Sequence, residues 1–231
     1  MSLAVVDWVS RQAVRLARRL RPSDPDVFLN NVTGVIHVGA NSGQERKKYD
    51  RHGLSVVWVE PIPEVFASLQ ENIRKFPRQR AYRYLLTDRE GQSHELKIAN
   101  NGGASSSILD MALHKDIWPD IHYIKSITLT SATLSAMIVR ERIEMHDYQA
   151  LVMDTQGSEL LVLKGAENLL AKFRYIKTEA PDFEAYAGCC LVSDLSAYLA
   201  GFGFREIQRT QFAGRQAGGS YFDIVYERSE R

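Results

Sequence analysis

The stretch Val35-Ile36-His37-Val38-Gly39-Ala40-Asn41-Ser42-Gly43 constrains this chain more than any other, because it runs a short apolar strand directly into a glycine-punctuated turn. A helix is expected from Gln44 to Arg51, and a second β-branched strand, Val56-Val57-Trp58-Val59, ends on Glu60-Pro61. A carboxylate about 20 residues after the first glycine of such a turn stands where an acidic side chain accepts hydrogen bonds from ribose hydroxyls. Gly39 lets the backbone turn sharply and approach a ligand with no Cβ in between. Gly43 lets the start of the helix pack close to the strand. Together these features outline a nucleoside-binding crevice at the carboxyl ends of two parallel strands.

The glycine pattern narrows the nucleoside. A dinucleotide fingerprint reads G-x-G-x-x-G around a pyrophosphate. Here polar Asn41 replaces the second glycine, and no Lys or Arg lies inside the turn. That pattern suits a ligand with a ribose and an amino-acid tail, such as S-adenosylmethionine.

Beyond residue 34 the chain alternates strand-like and helix-like segments, with no internal repeat or low-complexity linker. Core strands are expected at 82–86, 150–154, 175–179, 204–209 and 220–226, and an extended edge segment at 93–99 with another strand-like run at 121–130. Helices are expected at 63–75, 134–143, 158–173 and 193–200. Strands separated by helices imply a parallel sheet covered on both faces. The last two strands lack a helix between them, which implies an antiparallel hairpin at one edge.

Bulk properties exclude little. A chain of 231 residues with 45% hydrophobic content can fill one large α/β domain. A net charge of +1 gives no general electrostatic case for nucleic acid. The adjacent Cys189 and Cys190 lack metal spacing and read as reduced thiols of a cytoplasmic protein. No apolar run reaches membrane-spanning length, and Arg11, Arg15, Arg18 and Arg19 interrupt what would be the apolar part of a secretory signal. Val6, Val9, Ala13, Leu16 and Leu20 recur at helical spacing until Pro22 and Pro25. Residues 1–25 are therefore expected as an amphipathic helix and residues 26–231 as a single domain. The helix either packs on that domain or lays its basic face on an anionic membrane surface.

The motifs taken in order resemble the FkbM-type methyltransferases, a branch of the class I S-adenosylmethionine-dependent fold. The likeness covers residues 35 to about 180. It runs through Val38 to Gly43, Glu60-Pro61-Ile62-Pro63, Leu86-Thr87-Asp88 with Gly91, Ser105-Ser106-Ser107, Thr133-Leu134, and the block from Met153 to Leu160 with Leu163-Lys164-Gly165-Ala166. The usual family pattern has an acid, a glutamate and a glycine as D-x-E-G, with lysine two positions before the aspartate. This chain has Gln156 and Val152 at those places, and His37 where an aspartate often stands.

The resemblance implies a Rossmann-like α/β fold with a mostly parallel seven-stranded sheet, helices on both faces and the antiparallel edge hairpin. S-adenosylmethionine is the implied cofactor. Gly39, Asn41 and Gly43 would wrap its methionine end, and Glu60 would take both ribose hydroxyls. Asp88 with Thr87 would lie near the adenine, and Asp154 beside the sulfonium and the acceptor.

Methyl transfer to a hydroxyl needs the acceptor held in line and a base for its proton. Asp154 is the first choice for that role and His114 the second, delivered by the segment that follows Asn100 to Ser107. His122 and Glu179 are further candidates. Asp154 with Asp182 has too few oxygen ligands to be read as a metal site. The implied reaction is O-methylation of a sugar, glycoconjugate or other small natural product. N-methylation, a nicotinamide-dependent oxidoreductase and a catalytically silent cofactor-binding scaffold stand as alternatives. The partners of this reading are a small-molecule or glycoconjugate acceptor and no nucleic acid, with membrane contact through the N-terminal helix and homo-oligomerisation left open.

Overall fold

Opposite faces of the first strands bury different side chains, and this sets the architecture. Val35, Val56 and Trp58 turn one way, together with Ala150 and Val152; Ile36, Val38, Val57 and Val59 turn the other way, together with Leu151 and Met153. All of these side chains are buried. Strands apolar on both faces need cover on both.

The computed structural model describes residues 26–229, so the helix expected at 1–25 lies outside the described residues. In chain order the strands are β1 (Gly34–Val38), β2 (Ser55–Val59), β3 (Gln79–Tyr82), β4 (Leu85–Leu86), β5 (Ser93–Ala99), β6 (Tyr123–Ala132), β7 (Ala150–Met153), β8 (Tyr175–Pro181), β9 (Phe204–Gly214) and β10 (Ser220–Arg228). The α-helices are α1 (Arg46–Arg51), α2 (Pro63–Ile73), α3 (Leu134–Arg140), α4 (Glu159–Lys164) and α5 (Val192–Ala200).

Seven strands form one sheet in the order β3-β2-β1-β7-β8-β10-β9. The first five run parallel, and β10 lies antiparallel to both β8 and β9. Tyr49 of α1 and Leu69 and Ile73 of α2 cover one face; α3, α4 and α5 cover the other with Leu134, Met137, Val162, Leu163, Leu195 and Leu199. The expected seven-stranded sheet, its helical cover and its edge hairpin are all present. β1 sits between β2 and β7, so the chain reverses its winding direction there, and ligands of such sheets bind at the carboxyl ends beside that point.

Three local expectations need correction. The strand expected at 82–86 is two pieces: β3 joins the main sheet, while β4 pairs with β6 in a second sheet of order β4-β6-β5. The segment 93–99 accordingly edges that small sheet rather than the large one. The helix expected at 158–173 is interrupted: α4 ends at Lys164 and a 3-10 turn occupies Glu167–Lys172. At the break the chain passes close to β4, since a Cβ on Gly165 would lie 2.1 Å from the carbonyl oxygen of Thr87.

Candidate active site

The turn after β1 is built by main-chain contacts that only glycine allows. Gly39 has φ 79°, and a Cβ there would lie 1.8 Å from the Asp154 carbonyl oxygen. The Gly39 and Ala40 amides both donate to the Val59 carbonyl at 3.0 Å, tying the turn to the end of β2. Asn41 follows with φ 44°. Its amide donates to Glu60 Oε2 at 2.9 Å, while the Ile62 amide donates to Glu60 Oε1 at 2.9 Å. Glu60 is thus a buried carboxylate held by two backbone N–H groups. Burial nonetheless pushes its carboxyl up to about 7, against the opposing pull of those two bonds.

A cavity opens above this turn. Its polar floor is Gly39, Asn41, Glu60 and Asp154, and its apolar walls include Ile62, Tyr84, Leu86, Leu96 and Ile108. The glycine-serine loop roofs it with Gly103, Ala104, Ser106 and Ser107. That loop is held by several bonds: Asn41 Nδ2 donates to the Gly102 carbonyl at 3.3 Å, Ser106 Oγ accepts from the Ala99 amide at 3.0 Å, and Ser107 Oγ donates to the Gln156 carbonyl at 2.8 Å.

A second cavity lies on the other side of Asp154. Asn101, Ser105, His114, Trp118, Gln156, Glu179, Phe212 and Tyr221 line it along with Asp154. One wall is aromatic, with the Tyr221 ring 5.4 Å from Trp118 and 5.8 Å from Phe212, centroid to centroid. His114 closes the end of it from a 3-10 turn, its Nδ1 2.8 Å from the Tyr221 hydroxyl and its ring against Trp118 and Tyr186. Its Nε2 is buried and has no hydrogen-bond partner among the described residues. Burial holds its pKa down at about 4, so the ring is neutral at physiological pH.

The two cavities share Ala104, Asp154 and Gln156 at their junction, Asp154 and Gln156 supplying its polar side chains. Gln156 Nε2 donates to Asp154 Oδ1 at 2.5 Å, and the Tyr186 hydroxyl donates to Gln156 Oε1 at 2.6 Å. The turn that presents them is capped by buried Glu159, whose carboxylate accepts from the amides of Thr155 and Gly157. Glu179 stands on the neighbouring strand. Met153 and Thr178 are register partners, so Asp154 and Glu179 each follow one step beyond them. Burial raises the Asp154 carboxyl, and the charge of Asp154 is the largest influence raising that of Glu179.

Of the residues expected at the site, Gly39, Asn41, Glu60 and Asp154 meet in the first cavity and His114 joins Asp154 in the second. Gly43 does not line either; a Cβ there would press on Leu69 of α2 at 2.7 Å, so this glycine serves helix packing. Thr87 and Asp88 also lie outside the lining. Thr87 is fully buried with its hydroxyl on the Arg89 carbonyl, Asp88 faces Arg89 at 3.6 Å, and Tyr84, Leu85 and Leu86 form that wall instead. His122 is exposed and faces Asn100. Asp182 accepts from the Ser220 amide at the end of the edge hairpin. Among the described residues no group of three or more His, Cys, Asp or Glu is placed to hold a metal ion.

The departures at 37 and 152 fall into one row. His37 pairs in register with Val152, and Val152 with Lys177. The cation of that row therefore stands one strand further along, where Lys177 Nζ meets Asp26 at 3.0 Å and Asp223 at 3.5 Å. His37 stacks on Trp58, with its Nδ1 3.0 Å from the Tyr49 hydroxyl.

Known proteins resemble the chain in sequence and in fold. The family model described as Methyltransferase FkbM domain matches residues 37–206. The 2-O-methyltransferase NoeI of Sinorhizobium fredii (strain NBRC 101917 / NGR234) is 26% identical over 161 residues, covering 67% of this chain and 65% of that protein. The match thus spans less than two thirds of that relative's length. TrmK of M. capricolum, solved with the cofactor product S-adenosyl-homocysteine, superposes with TM-score 0.51 at 8% identity over 87% of this chain and 64% of that one. An uncharacterized protein from Listeria monocytogenes serotype 4b gives TM-score 0.50 at 11% identity over 91% of this chain and 70% of that one. Both structures share the fold.

Proposed function

The chain belongs to the FkbM methyltransferase family, whose methyl donor is S-adenosylmethionine, and from that premise we propose that it methylates a hydroxyl on a sugar, glycoconjugate or similar small molecule. The residues present suit the donor. A glycine turn with its backbone bare to the cavity, a buried carboxylate with lone pairs left beyond its two amide bonds, and apolar walls around it match a nucleoside that carries an amino-acid tail. Glu60 would hold the ribose hydroxyls and Gly39 and Asn41 the methionine end. Leu86, Leu96 and Ile108 would enclose the base. When bound, the donor supplies an electrophilic methyl group on a sulfonium.

The observation that carries this reading is that Asp154 lines both cavities. A transferred group has to pass between two bound molecules, and the junction is the one place where both would meet. The second cavity suits a polyhydroxylated ring. Trp118, Phe212 and Tyr221 offer flat apolar surface, and Asn101, Ser105, His114 and Asp154 offer hydrogen bonds at its margin. Asp154 would orient the acceptor hydroxyl and draw its proton, and neutral His114 would fix a second hydroxyl through Nε2. The 2-O-methyltransferase relative supports oxygen as the methylated atom.

The test is to incubate the protein with S-adenosylmethionine carrying a 13C-labelled methyl and a panel of methyl glycosides, simple alcohols and amines. A new labelled O-methyl ether on a glycoside is expected. Label on nitrogen alone would replace the reading by N-methylation. Tight binding of S-adenosyl-homocysteine with no transfer to any acceptor would favour a silent cofactor-binding protein.

A further inference from the structure

We propose that Asp154 and Glu179 form a carboxyl pair that holds one proton between them, and that Glu179 is a second catalytic residue, which shares with Asp154 the proton drawn from the acceptor. This deepens the methyl-transfer reading and rests on it. The two side chains leave the carboxyl ends of adjacent parallel strands at matched register, because Met153 and Thr178 are partners on β7 and β8. Both face the cavity that would take the acceptor. The buried His114 Nε2, which has no partner among the described residues, borders the same cavity and gives a second, independent sign that a polar ligand belongs there.

The charges around the pair explain why it keeps a proton. Glu159 of α4, Asp223 of β10 and Glu45 ahead of α1 add negative potential at Asp154, while Lys177 of β8 is the cation that opposes it at Glu179. That cation is already engaged by Asp26 and Asp223. His37 of β1 and His114 are held neutral by burial, and Lys48 of α1 is tied to Asp26. Two carboxyls on adjacent strands with so little compensation ionise in two separate steps, and between those steps the pair carries one negative charge.

The step balances with that charge. The acceptor O–H bond breaks as its oxygen forms the bond to the incoming methyl carbon, the methyl–sulfur bonding pair stays on sulfur, and the proton moves to the pair. The pair goes from one proton and one negative charge to two protons and none. A polar cavity continues from Asp154 and Glu179 past Lys177 and Asp223 to Asp26 and Lys48, and returns the extra proton to water away from the acceptor.

The test is a pH titration of the free protein with 13C-labelled Asp and Glu carboxyls, followed by nuclear magnetic resonance in the parent, Asp154→Asn and Glu179→Gln. In the parent, both carboxyls are expected to follow the same two widely separated steps, a signature that needs no variant to fold. In Asp154→Asn the Glu179 midpoint should drop by more than one pH unit, with the reciprocal drop of Asp154 in Glu179→Gln. A single ordinary carboxylate midpoint for each residue in the parent, or a Glu179 midpoint indifferent to Asp154, would overturn the pair. The titration requires neither donor nor acceptor, so it stands apart from any failure of the methyl-transfer reading. On a methyl glycoside that the parent methylates, Glu179→Gln should lower kcat by about 100-fold and leave the donor's KM unchanged; a parent-like kcat would overturn its catalytic role.

Discussion

Gln156 Nε2 lies 2.5 Å from Asp154 Oδ1, and the glutamine reaches it from a left-handed backbone with φ 53°. A non-glycine residue in that region costs about 1 kcal/mol or more and persists only where its surroundings over-determine it. Here the Ser107 hydroxyl holds its carbonyl and the Tyr186 hydroxyl holds its side-chain oxygen, so the amide N–H has one direction left, toward Asp154. The glutamine in place of the usual family glutamate is therefore a donor beside the central carboxylate, where an acid would add negative charge to the Asp154–Glu179 pair.

Gln156→Glu reverses that electrostatic relationship at constant shape. The new carboxylate should raise the Asp154 carboxyl further and lose the hydrogen bond from Tyr186 only partly, since the oxygen that accepts it remains. Turnover at pH 7 is expected to fall by about 10- to 100-fold with little change in S-adenosyl-homocysteine affinity. Steady-state kinetics and calorimetry on the same preparation check both halves.

Glu60→Gln removes the charge that would meet the ribose hydroxyls and turns one of the two side-chain oxygens that accept backbone N–H groups into a donor. Binding of S-adenosyl-homocysteine should weaken by about 2 to 4 kcal/mol, read by calorimetry. The same variant reports on pH. The folded carboxyl at about 7 lies above its ordinary value of 4.5. Its stabilising contribution is therefore complete below pH 4.5 and is lost as pH rises through about 7. The parent's thermal midpoint, taken relative to Glu60→Gln, should fall across that window.

His114 should leave no mark near its ordinary pKa. Its folded value is lowered from 6.5 to about 4 by burial, so its contribution to stability is present above pH 6.5 and lost as pH falls through about 4. The stability of the parent relative to His114→Asn should decline over that acid range. Turnover should show no limb at pH 6.5 that this variant abolishes, and the variant should raise the acceptor's KM more than it lowers kcat.

Most core strands were legible because each is an apolar run bounded by turn residues, and Gly39 with Glu60 marked the binding end of the sheet. The break in the helix after Lys164 was not, since the apolar pattern runs on across Gly165 to Leu169 and Leu170. Thr87 and Asp88 stand outside the cavity lining: β4 pairs with β6 in the small sheet, and the wall there is Tyr84, Leu85 and Leu86. The second cavity was the least legible feature. Asn101, His114, Gln156, Phe212 and Tyr221 come from five separate segments, and no local pattern joins them. His114 could be singled out by its residue type and its place after the glycine-serine loop, whereas its partner Tyr221 looked like one more alternating residue of an edge strand.

The central claim is that Asp154, at the junction of the two cavities, serves the chemistry rather than the grip on the donor. Asp154→Asn keeps the side chain's shape and its contact with Gln156 after an amide flip. Turnover on an accepted glycoside and affinity for S-adenosyl-homocysteine should be measured on one preparation of this variant. The expected result is a loss of turnover of about 100- to 10,000-fold with donor-product affinity within about twofold of the parent. Parent-like turnover, or an affinity that falls in step with the rate, would contradict it.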